Sequence, residues 1–121
     1  MKVMAKLSRE MRGAERNATD VVAAVREEGE QFSSVLVDDI SLLGFGMLAG
    51  VPLATGDEIT VELPRMARRS AVVVRHSGLR FGCSFTHPLT TRELHRVLEA
   101  GRQAVALRET RAAMGLSLIH I

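Results

Sequence analysis

Asp39 and Ser41 stand two apart, so on an extended chain their side chains leave the same face. Gly44 follows three residues later and permits a tight turn or close approach of a ligand to backbone. A carboxylate accepts from the N1 and N2 donors of guanine, and a hydroxyl serves base or phosphate. Upstream, Arg12 and Arg16 lie four apart. In a helical arm that spacing brings them to one face; in an extended arm they span about 13 Å at ~3.3 Å per residue. A guanidinium fork matches both the O6/N7 edge of guanine and phosphate oxygens. Each pair also has a plainer reading. Asp39 and Ser41 satisfy turn amides in Asx and Ser turns, and an Arg pair in an Arg-rich chain is an ordinary solvated arm.

The elements that must position these residues are short strands. Thr19 to Glu27 is rich in β-branched residues and ends in the turn chemistry of Glu28-Gly29-Glu30. Gln31 to Asp39 resumes with Phe32, Val35 and Val37, and Phe45 to Ala49 is a short apolar strand. Glu58 to Leu63 alternates Ile59, Val61 and Leu63 with Glu58, Thr60 and Glu62, and Pro64 ends it. Arg69 to His76 and Leu79 to Phe85 flank the hairpin signal Ser77-Gly78. Six strands with tight connections and no intervening helix predict an antiparallel sheet that closes, or nearly closes, into a barrel. Thr90-Thr91-Arg92-Glu93 is a capping box. The helix it starts carries Leu94, Val97, Leu98, Gly101 and Val105 as a stripe against the barrel, with Arg96, Arg102 and Arg108 facing solvent and Gly115 as C-cap.

The domain plan is an arm at 1–18, a barrel at 19–89, a helix at 90–115 and an apolar tail at 116–121. The arm has no clean period and is expected to be mobile until a ligand docks. For the tail, packing on the barrel, self-association and an expression remnant all stay open.

Composition narrows the function classes. With 121 residues, 46% hydrophobic and 25% charged, the chain is one ordinary globular domain. Four Phe without Tyr or Trp, and a net charge of +2, disfavour a nucleic-acid-binding barrel. Of sixteen basic residues only Lys2 and Lys6 are lysine, which favours planar bidentate contacts. A single Cys, no signal segment and no run of 18 apolar residues predict a cytoplasmic protein without membrane insertion. His76, His87, His95 and His120 lack metal-site spacing, and Cys83 sits in an apolar strand as a core thiol. On a regular strand Asp38 and Asp39 point to opposite faces, so they form no catalytic pair; no enzyme is expected.

RxxxR at Arg12–Arg16 before strand one, and DxSxxG at Asp39-Ser41-Gly44 closing strand two, on a six-stranded barrel with a helix behind it, resemble the PilZ domain family. The resemblance runs from about Arg12 to Val97. It implies a non-catalytic receptor for bis-(3′-5′)-cyclic dimeric GMP (cyclic di-GMP), a bacterial second messenger. By the same resemblance Arg12 and Arg16 hold phosphate and the guanine Hoogsteen edge, Asp39 and Ser41 hold the other side, and Gly44 allows approach. It also implies that the arm folds over the barrel as ligand docks, signalling to a downstream protein effector; no other cofactor is implied. Two positions depart from the pattern. Met11 stands where another Arg often precedes the motif, which favours one ligand per domain, with Arg9 as a substitute. Phe45 follows Gly44 where a small residue is usual; pointing outward, it would crowd the guanine or stack on it. The alternative is a PilZ-like protein interaction module that binds no nucleotide.

Overall fold

The structure is a computed structural model that describes residues 15–119, less the side chains of residue 105 and residues 107–119. In chain order it has β1 (Asn17–Glu27), β2 (Ser33–Ile40), β3 (Gly44–Leu48), β4 (Glu58–Glu62), β5 (Arg69–Ser77), β6 (Arg80–Phe85) and α1 (Thr91–Ile119). The strands close into a barrel in the order β1-β2-β3-β6-β5-β4, with β1 paired to β4 across the seam and every pairing antiparallel. The expected six-stranded antiparallel barrel with a C-terminal helix is therefore observed. Gly29 (φ 83°) and Gly78 (φ 59°) turn the β1–β2 and β5–β6 hairpins through left-handed backbone that a β-carbon would strain.

Inward residues follow the two-residue period. Val21, Ala23 and Val25 of β1, Phe45 and Met47 of β3, Ile59 and Val61 of β4, and Phe81, Cys83 and Phe85 of β6 are all buried. Burying each large apolar side chain contributes about 1.5–3 kcal/mol before entropy is subtracted. Burial pushes the Cys83 thiol up to about 12, so it packs as a small hydrophobe and not as a nucleophile.

The β1–β2 register shifts between Ala18 and Val21, and two further strand pairs shift as well. On β2 the buried residues step from Val35 and Val37 to Ile40, and the β2–β3 register shifts between Val37 and Asp39. On β5 the register against β6 shifts between Val73 and Arg75. An extra residue in a strand bends it and re-aims the side chains beside it. The latter two bulges lie on the same stretch of barrel wall.

The capping box forms as read: the Thr90 amide donates to Glu93 Oε1 at 2.9 Å and the Glu93 amide donates to Thr90 Oγ1 at 3.1 Å. Glu93 also pairs with Arg69 of β5, which fixes the start of α1 to the barrel. The Thr90 amide, and then the Arg69 hydrogen bond, hold the Glu93 carboxyl below its ordinary value of 4.5. A lowered carboxylate contributes stability above its unfolded value, and that contribution fades as pH falls through the folded one.

Leu94, Val97, Leu98 and Gly101 face the barrel, and Arg96 and Arg102 face solvent; the side chains of Val105 and Arg108 lie outside the described residues. α1 does not stop at Gly115 but continues to Ile119, so residues 116–119 of the expected tail are helical. A lone glycine costs a helix about 1 kcal/mol and does not by itself end it. Among the described residues no helix is long and apolar enough to cross a membrane.

Gly101 is where α1 touches β1. A β-carbon there would sit 2.5 Å from Thr19 Oγ1 and 2.9 Å from Val21 Cγ2. Alanine would gain about 1 kcal/mol of helix propensity, yet forcing bulk into a packed contact costs about 1–3 kcal/mol. Val21 is only 2% exposed and cannot yield, so Gly101→Ala is expected to lower the urea midpoint despite its better propensity.

Candidate ligand site

The β2–β3 connection is built around one hydroxyl. Ser41 Oγ accepts from the Leu43 and Gly44 amides at 3.1 and 3.2 Å, and the Ser41 amide donates to the Gly44 carbonyl at 2.8 Å. Ser41 is 7% exposed. Its observed role is therefore the plainer of the two read from sequence: it satisfies turn amides. Ser41→Ala would strand two partly buried amides and is expected to cost about 1–2 kcal/mol in a denaturant titration.

Gly44 is explained by the strand beside it. A β-carbon at this position would lie 2.2 Å from the Cys83 carbonyl oxygen of β6. Its missing side chain lets β3 and β6 approach, and it meets the Ser41 turn through backbone alone.

Asp39 behaves differently. Arg16 Nη2 donates to its Oδ1 at 3.1 Å, and Arg80 Nη2 donates to its Oδ2 at 3.0 Å. The structure thus joins two motif residues separated by 23 positions. Arg12 and Met11 lie outside the described residues, as does the rest of the arm through residue 14. The arm's expected end also shifts, since Asn17 and Ala18 already belong to β1.

Asp38 corrects the expectation of opposite faces. The bulge between Val37 and Asp39 lets Arg80 bind Asp38 as well as Asp39, so one guanidinium bridges both carboxylates. The hydrogen bond that Arg80 donates to Asp38, then the charge of Asp38, raises the Arg80 pKa above an already high value, with Asp39 adding less; Arg80 stays a cation. Phe45 is also resolved. It is 1% exposed, with its ring 5.2 Å from that of Phe85, so it neither crowds nor stacks on a ligand. The residue that faces outward beside Asp39 is Gly46.

A row of residues crosses the barrel wall from there. Asp39 pairs with Gly46, Gly46 with Gly82, and Gly82 with Arg75. Two side-chain-free positions in the middle leave a shallow groove of about 470 Å³, lined by Arg16, Arg75, His76, Arg80 and both glycines among others. Sequence reading missed Arg75, Arg80, Gly46 and Gly82. The signal was present in Phe45-Gly46-Met47 and Phe81-Gly82-Cys83, where a glycine flanked by two core residues must face outward on its strand.

A family model for the PilZ domain matches residues 10–101. The chain belongs to the PilZ domain family. Among solved structures, this PilZ domain is similar to the Bacillus subtilis inhibitor of motility MotI/DgrA, at 15% identity and a TM-score of 0.53, over 78% of this chain and 51% of that one. It spans about half the length of that protein. It is also similar to the PilZ domain of CeSA from a cellulose-synthesizing bacterium, at 12% identity and a TM-score of 0.52, over 74% of this chain and 97% of that one. Such identities establish the shared fold of the PilZ domain and no more. No curated protein matches the chain. PilZ domains are regulatory binding modules.

Proposed function

We propose that this PilZ domain is a non-catalytic receptor for cyclic di-GMP in the bacterial cytoplasm. The observation that carries the reading is the meeting of Arg16 with Asp39 beside the glycine floor. Cation and carboxylate from the two motifs are held at one point, where guanine needs an acceptor pair on one edge and a donor fork on the other. Arg12, four residues upstream of Arg16, completes the cationic half. Ser41 and Gly44 contribute by fixing the turn that carries Asp39.

Ligand must exchange with the resident ion pairs. Arg16 is 54% exposed and Arg80 48%, and exposed pairs of this kind are worth about 0–1 kcal/mol, so the exchange costs little. Signalling follows from the same swap: a ligand that takes Asp39 releases Arg16 and re-seats the chain before β1. A protein effector has a foothold one row away, where Val22, Leu36 and Leu48 lie side by side on the outer wall; Val22 is 68% exposed.

Guanine specificity tests the reading. Adenine presents an acceptor at N1 and lacks the 2-amino donor, so Asp39 would face a lone pair. Cyclic di-AMP is expected to bind at least about 100-fold more weakly than cyclic di-GMP in equilibrium dialysis. Equal binding of the two would contradict the role given to Asp39.

A further inference from the structure

The geometry points to Arg75 as a second anchor of the nucleotide, holding a phosphate at the end of the groove opposite Asp39. This rests on the cyclic di-GMP reading and extends it to a residue outside both sequence motifs. Arg75 closes the row Asp39–Gly46–Gly82–Arg75, so three strand-to-strand steps, up to roughly 14 Å along the wall, separate the two ends. Each end is set by a bulge, one between Val37 and Asp39 and the other between Val73 and Arg75. Bulges concentrate where a strand re-aims a side chain toward a site.

The glycines between them make room for something removable. Outward glycines weaken strands, and unlike Gly44 neither is needed by a neighbouring backbone. A β-carbon on Gly46 would meet Asp39 Oδ2 at 2.8 Å and Arg80 Nη2 at 3.0 Å; one on Gly82 would meet Arg75 Nε at 3.3 Å. Two long cationic side chains therefore lie over the glycine floor, each free to lift and close on a ligand that replaces it. Arg16 and Arg80 are matched to carboxylates, whereas among the described residues none forms an ion pair with Arg75. Among the described residues, Arg75 is the groove arginine without a carboxylate partner. Beside it the exposed His76 ring lies flat on Phe81, centroids 4.4 Å apart and planes within 4°, held by a 2.7 Å hydrogen bond to the Gly78 carbonyl. An acidic end that reads a base and a cationic end with no internal partner suit a ligand with a guanine at one side and an anion at the other.

Calorimetric titration of cyclic di-GMP into the wild type, Arg16→Ala and Arg75→Ala tests this, with thermal melts confirming that the exposed substitutions leave the fold intact. Arg75→Ala is expected to weaken binding about ten-fold or more, the loss of one charge-assisted contact. Wild-type affinity in Arg75→Ala, alongside weakened Arg16→Ala, overturns the role of Arg75 and leaves the receptor reading standing. No binding by the wild type overturns both.

Discussion

Asp39→Ala is expected to weaken cyclic di-GMP binding by about 10- to 100-fold while barely moving the melting temperature. Losing a desolvated charge-assisted contact costs about 1.5–3 kcal/mol, which is that range in affinity. Stability should hold because, among the described residues, Asp39 pairs with Arg16 and Arg80, both about half exposed, and such pairs contribute about 0–1 kcal/mol. Arg80 keeps Asp38 when Asp39 is gone, and Arg16, already about half exposed, is left to solvent. Asp39→Asn separates shape from charge: the amide keeps one acceptor of two and should recover part of the affinity. An Asp39→Ala variant that melts early and binds normally would place the residue in the scaffold instead.

Gly44→Ala has the opposite signature. Its β-carbon would fall 2.2 Å from the Cys83 carbonyl, a backbone atom of the adjoining strand, so nothing can rotate away. Overpacking costs about 1–3 kcal/mol where side chains can shift. Here β3 and β6 must part, so a loss of about 3 kcal/mol or more is expected in the urea transition, a large share of the 5–15 kcal/mol typical of a domain. Gly46→Ala is the control two residues away. Its neighbours are the flexible ends of Asp39 and Arg80, so it should fold and lose ligand affinity by filling the groove. Equal stabilities of the two variants would contradict the distinction between a glycine that packs strands and one that floors a site.

Those contrasts show which parts of the molecule were legible in the chain. The alternation of Ile59, Val61 and Leu63 and the capping box at Thr90–Glu93 depend on local periods, and the structure reproduces both. The helix end was misjudged because Gly115 is permissive, not terminating. Site detail depended on non-local facts. The inward step from Val37 to Ile40 marks a bulge only once a register is known, and that bulge turns Asp38 toward Arg80. Phe45 looked obstructive because its face was unassigned; one residue of alternation puts it in the core and Gly46 outside. Arg75 and Arg80 carry no motif of their own. They join the site because β3 pairs with β6 and β6 with β5, a neighbourhood set by the closed barrel.

The most direct test of the central claim is calorimetric titration of cyclic di-GMP into the intact chain, repeated with Arg12→Ala and Arg16→Ala. Saturable binding of one ligand per chain is expected, weakened about 10- to 100-fold by either substitution. Absence of binding heat at several temperatures, or affinity indifferent to both arginines, would contradict that claim.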